Sequence, residues 1–105
     1  MDKKVSFQEI INGEKPVLVD FFATWCGPCV AMGPILKEVA AEIGEKASII
    51  KVDVDQNRAL ATQFGIRGVP TFMLFQGGKV KWSRSGMQSA FTLKEVIERA
   101  TEGNL

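Results

Sequence analysis

Residues 15–55 read KPVLVDFFATWCGPCVAMGPILKEVAAEIGEKASIIKVDVD, and the order of apolar patterns in this stretch narrows the possible architectures. Pro16 opens a short run rich in Val and Phe, the pattern of a strand buried on both faces. Beyond Cys29, the residues Met32, Ile35, Leu36, Val39 and Ile43 recur at helical spacing until Gly44 ends the series. Pro34 lies inside that helix and predicts a kink. A second β-branched run, ASIIKVDVD, follows at residues 47–55. Strand, helix and strand in succession predict a right-handed parallel crossover, which puts the pair Cys26 and Cys29 at a strand-to-helix junction.

Beyond this stretch, NRALATQFG (residues 57–65) predicts a short helix, opened by Asn57 or a residue near it and closed by Gly65. TFMLFQGGKVKWSRS (residues 71–85) predicts a hairpin, because Gly77-Gly78 supplies the positive φ values of a tight turn. Trp82 alternates there with Lys79 and Lys81, as expected for a strand with one buried and one solvated face and lysines guarding a sheet edge. The last helix is predicted to begin between Ser89 and Thr92, with Leu93, Val96, Ile97 and Ala100 on one face. VSFQEIIN (residues 5–12) reads as one more short helix, after a brief edge strand. The expected fold class is α/β: a single domain over residues 1–105, with a central mixed β-sheet flanked by helices on both faces.

A chain of 105 residues can bury a core without a disulfide to hold it together, so the adjacent cysteines need another reason. Its 13 basic and 12 acidic residues are spread along the chain for a net charge of +1, so no basic face for nucleic acid is apparent. The start, MDKKVSFQEI, has no apolar stretch behind its basic residues, and no run approaches membrane-spanning length. The expectation is a cytoplasmic protein with no membrane or nucleic-acid partner.

A structural zinc site takes four ligands, and this chain has two Cys and no His, so no metal is expected. A purely structural disulfide closing so short a ring removes little chain entropy. The spacing suits reversible redox chemistry: one thiolate attacks a substrate disulfide, and the second, already within reach, resolves the mixed disulfide. A helix N-terminus favours the thiolate through its dipole and unpaired N–H groups, which makes Cys26 the candidate nucleophile, expected to be exposed. Cys29, deeper in the helix, is the candidate resolving thiol and is expected to be shielded. Pro28 suits the first helical turn because its missing N–H is one that no helix bond would use.

Other residues are double-edged when read alone. Asp20 is either a strand-end carboxylate satisfied by water or a buried acid that must be paired or protonated. Pro70, in RGVPTF, opens a strand whose interior could not spare an N–H, and an ordinary trans bond is the default. Trp25 stands on a turn, where part of its ring is expected to be exposed.

WCGPC together with GVPTF and the order of elements resembles the thioredoxin family over essentially the whole chain. The resemblance implies a thiol-disulfide oxidoreductase acting mainly as a general protein disulfide reductase through Cys26 and Cys29. It implies that Asp20 is a buried proton acceptor and donor for Cys29, with Lys51 near that carboxylate. It also implies a cis Val69-Pro70 bond facing the dithiol, and a shallow apolar substrate surface made by Trp25, Gly27, Pro28, Val69, Pro70 and Gly86. No bound cofactor follows; the implied partners are disulfide-containing proteins and a separate NADPH-dependent flavoprotein, thioredoxin reductase, acting on a monomer. The enzymatic alternative is a disulfide oxidase or isomerase, although members of that kind usually place His between the cysteines. An alternative of another class is a non-catalytic binding module using the same apolar patch. Val30 and Phe22 depart from the family pattern, which often has Lys and Trp there, and the missing cation bears on redox potential and partner choice.

Overall fold

Pro16 delivers the chain into β1 (Val17–Phe22), of which the first five residues are buried. In the computed structural model, which describes residues 6–105, alternation along β1 sends Val17, Val19 and Phe21 to one face of the sheet and Leu18 and Asp20 to the other. The expected edge strand ahead of the first helix lies outside the described residues. β1 is followed by α2 (Gly27–Ile43) and, after a 3₁₀ turn at Gly44–Lys46, by β2 (Ser48–Asp53), which pairs with β1 in parallel. Then come α3 (Arg58–Gln63), the antiparallel pair β3 (Thr71–Gln76) and β4 (Lys79–Ser85), and α4 (Ala90–Thr101). The strands stand in the order β2-β1-β3-β4, so β1 and β3 are central and β4 is an edge.

Each face of this sheet is covered by a pair of helices. Leu18, Phe72 and Leu74 pack against Met32, Leu36 and Val39 of α2 and Leu93 and Ile97 of α4. Val19, Phe21, Met73 and Phe75 pack against Leu60 of α3, the adjoining Phe64, and Phe7 and Ile11 of α1 (Phe7–Ile11). Five residues are too few for a helix to persist alone. α1 is held by a capping box, with Ser6 Oγ accepting the Glu9 N–H at 3.1 Å and Glu9 Oε1 accepting the Ser6 N–H at 3.2 Å. The Phe7 ring also stacks edge-on against Phe75, with centroids 5.5 Å apart.

Gly77 and Gly78 turn the hairpin at φ 61° and 79°, as expected, and the turn docks on the chain after α1 through Gly78 N–H to the Ile11 carbonyl at 2.9 Å. The alternation expected in β4 does not hold along its length. Leu74 pairs with Trp82 but Phe75 pairs with Val80, a bulge that leaves Lys81 unmatched. Trp82 therefore reaches the α2–α4 core, half-buried, while Val80 is turned away from it and is exposed. α2 runs through the exposed Pro34 to its end at Gly44, whose N–H bonds the Ala40 carbonyl. Asn57 does precede α3, but its side chain donates to the Asp53 carbonyl at 2.9 Å and does not cap the helix.

Candidate active site

The strands deliver four segments to one end of the sheet: the turn after β1, the loop after β2, the approach to β3 and the exit of β4. Cys26 is the N-cap of α2, and Cys26 and Cys29 form a disulfide with Cα atoms 5.2 Å apart. The Cys29 N–H donates to Cys26 Sγ at 3.1 Å. This is the ordinary N-cap arrangement, in which the cap side chain accepts the N–H three residues on, and Pro28 takes nothing from it because its place in the first turn needs no N–H. In the reduced protein the Cys29 N–H and the helix dipole favour negative charge on Cys26, and among the described residues no N–H donates to Cys29 Sγ.

The expected contrast in exposure is absent. Cys26 is 5% exposed and Cys29 4%, since both sulfurs are enclosed by Ala23, Phe22, Val54 and Val69. The asymmetry between them is one of hydrogen bonding and helix position. Gly27 and Pro28 are exposed beside the pair, and Trp25 is 72% exposed.

Val69 adjoins the dithiol, its carbonyl oxygen 3.6 Å from Cys26 Sγ, a separation across which a thiol there can donate. The Val69-Pro70 bond is cis, as expected, and Pro70 is buried. The Pro70 carbonyl accepts the Gly86 N–H at 2.8 Å, and Gly86 sits at φ 89°, which a side chain would strain. Gly86, which the resemblance put in the substrate surface, is thereby held beside Pro70.

Asp20 has no solvent exposure, and neither carboxylate oxygen has a hydrogen-bond partner among the described residues. Burial pushes its pKa up to about 6, opposed by the charge of Lys51 on the neighbouring strand. Lys51 is in register with Asp20 across the β1–β2 pair, is exposed, and holds its ammonium 4.6 Å from the Phe22 ring centroid. Asp20 is therefore not a solvent-exposed strand-end carboxylate.

Asp55 escaped the sequence reading. Its Oδ2 accepts the Trp25 indole N–H at 2.8 Å and so fixes the exposed ring. Asp55 is itself placed by a turn in which Asp53 Oδ1 accepts the Asp55 N–H at 2.9 Å. The signal available was the turn-forming string DVDQN after β2.

A sequence profile for the family described as Thioredoxin matches residues 1–99. The chain belongs to the thioredoxin family. It is 50% identical over 74 residues to a thioredoxin of Alicyclobacillus acidocaldarius, an alignment covering 70% of each protein. It is 44% identical over 98 residues to chloroplastic thioredoxin Y of Oryza sativa, covering 92% of this chain but only 58% of the rice protein. Among solved structures, a mutant thioredoxin from Halobacterium salinarum NRC-1 superimposes with a TM-score of 0.81 at 39% identity, over 90% of this chain and 81% of that one. The four-stranded mixed sheet with helices on both faces is thus the thioredoxin fold. Its disulfide-forming pair makes the protein a thioredoxin-type thiol-disulfide oxidoreductase.

Proposed function

We propose that the protein is a general protein disulfide reductase, working as a cytoplasmic monomer. The observation that carries this reading is the Cys29 N–H on Cys26 Sγ at a helix N-terminus, beside the exposed Trp25 and the Val69 backbone. The Cys26 thiolate attacks a substrate disulfide, forming a mixed disulfide and expelling one substrate thiolate. Cys29 then loses its proton to Asp20, attacks Cys26 Sγ and expels the second substrate thiolate. The substrate disulfide is reduced to two thiols and the protein dithiol is oxidised to the Cys26–Cys29 disulfide. With its pKa raised to about 6, Asp20 is mostly ionised at neutral pH and able to take that proton. Lys51 moderates the acid. Trp25, Gly27, Pro28, Val69, Pro70 and Gly86 form the surface on which an extended substrate segment lies, and a flavin- and NADPH-dependent thioredoxin reductase regenerates the dithiol.

Redox titration against glutathione and dithiothreitol tests the direction. A reductase of this kind is expected near the thioredoxin value of about −270 mV, whereas a potential near the about −120 mV of a strong oxidant would replace this reading with an oxidase. Replacing both cysteines by Ser should abolish disulfide reduction; a function that persisted would be that of a binding module.

A further inference from the structure

A narrow groove of about 120 Å³ opens beside the dithiol, lined by Trp25, Val54, Ile66, Arg67, Gly68 and Val69. Its walls are largely apolar, and Arg67 is its one formally charged lining residue. Arg67 is exposed. Among the described residues Arg67, like Arg58, makes no ion pair or side-chain hydrogen bond, whereas Arg84 and Arg99 each donate to a backbone carbonyl; Arg67 alone of these four lines the groove. Asp55, the acid tied to the rim of this groove, already accepts the Trp25 indole N–H. On the helix side of the dithiol, Val30 is 69% exposed and contributes no charge. The groove is therefore an apolar slot with one unengaged guanidinium, continuous with the surface around Cys26.

We infer that Arg67 is a specificity-determining residue that favours substrate segments carrying a carboxylate within about two or three residues of the disulfide. The inference rests on the reductase reading. A substrate strand lying along Val69 passes within reach of Arg67, because two residues of chain span at most about 7 Å. Guanidinium is suited to a carboxylate by its planar fork of donors, and the apolar slot holds the neighbouring substrate side chain. The contact is at a surface, so discrimination should be modest: about two- to fivefold in kcat/KM, decreasing with salt as the Debye length falls from about 8 Å at physiological strength to about 3 Å at 1 M.

The test uses three otherwise identical peptides with one cysteine as a pyridyl disulfide and Glu, Gln or Lys two positions away, read by thiopyridone release from the reduced protein. Attack by Cys26 transfers the peptide sulfur to the protein and releases thiopyridone; Cys29 then releases the peptide thiol and leaves the protein disulfide. The wild type should prefer Glu over Gln over Lys, Arg67→Gln should flatten the series, and Arg67→Glu should reverse it. Ratios between peptides are compared within each variant, so a general loss of rate does not enter. The same order in wild type and Arg67→Glu overturns the inference and leaves the reductase reading standing. A wild type that reduces none of the three overturns both.

Discussion

Replacing Asp20 by Asn keeps the shape of a fully buried side chain and removes its titration. In the folded protein the Asp20 pKa is raised from 3.8 to about 6, first by loss of hydration on burial and against the lowering effect of Lys51. A raised folded pKa means that the native state binds the proton more tightly than the unfolded chain. The contribution to stability is therefore fully present below the unfolded value and is lost as pH rises through the folded one. At about 1.36 kcal/mol per pH unit, the interval from 3.8 to about 6 corresponds to about 3 kcal/mol in total, of which about 2 kcal/mol falls between about pH 4 and pH 8. Denaturant unfolding of the oxidised wild type and Asp20→Asn at matched pH reads this directly, since every other titrating group is shared and cancels in the difference. The variant should gain on the wild type by about 2 kcal/mol across that range. Lys51→Met in the wild-type background should move the transition to higher pH, because the cation that favours the carboxylate is gone. A stability difference that stays flat from about pH 4 to pH 8 would mean that Asp20 titrates alike in the folded and unfolded chains and is not shifted by burial. The same variant should slow resolution of a mixed disulfide in single turnover more than it slows the first attack.

In the reduced protein, Cys26 should react with iodoacetamide well before Cys29, because only its sulfur faces the helix N-terminal N–H; equal labelling by mass mapping would contradict that assignment. Cys29→Ser should correspondingly trap a mixed disulfide on Cys26. At the hairpin, Gly77→Ala should destabilise by about 1–2 kcal/mol for its left-handed φ, measured by chemical denaturation. Gly78→Ala should cost a similar amount for its φ of 79°, because its new Cβ, 2.7 Å from Asn12 Oδ1, meets only the tip of an exposed side chain that can turn aside, so adding Asn12→Ala should recover little; a large recovery would show that Asn12 cannot move.

What could be read from the chain was whatever depends on near neighbours in sequence. The β1 run, the apolar stripe of α2, the Gly77-Gly78 turn and the stripe Leu93, Val96, Ile97 and Ala100 all reappear, because alternation, helical spacing and glycine torsions are local properties. The bulge between β3 and β4 was not legible. It arises from how Leu74 and Phe75 meet the partner strand, and it reverses the facing of Val80 without any mark in KVKWSRS itself. Asp55 was missed for a similar reason: its function as an acceptor exists only once the loop after β2 meets Trp25, 30 residues earlier. For Asp20, an isolated carboxylate in VLVDFF could have been a strand end; burial follows from α2 crossing the same face of the sheet, which only the assembled fold decides.

The arrangement of the strands explains why so few residues of the site were separable from the fold. β1 and β3 are the central pair, antiparallel, so the end of β1 and the beginning of β3 lie at the same edge of the sheet. That pairing alone brings Cys26 and Val69, 43 residues apart, to 3.6 Å between sulfur and carbonyl oxygen. β2 runs parallel to β1 and ends at this same edge, which brings Asp55 to Trp25, while β4 runs antiparallel to β3 and finishes where β3 starts, which brings Gly86 to Pro70. A slip of β3 by one residue against β1 would shift Val69 by about 3.3 Å along the strand and turn Phe72 and Leu74 from the α2 face to the opposite one. The apolar alternation that fixes the register, Val17, Val19 and Phe21 against Leu18, therefore also sets the sulfur-to-backbone spacing and the burial of the acid. Core packing and redox geometry are specified here by the same side chains.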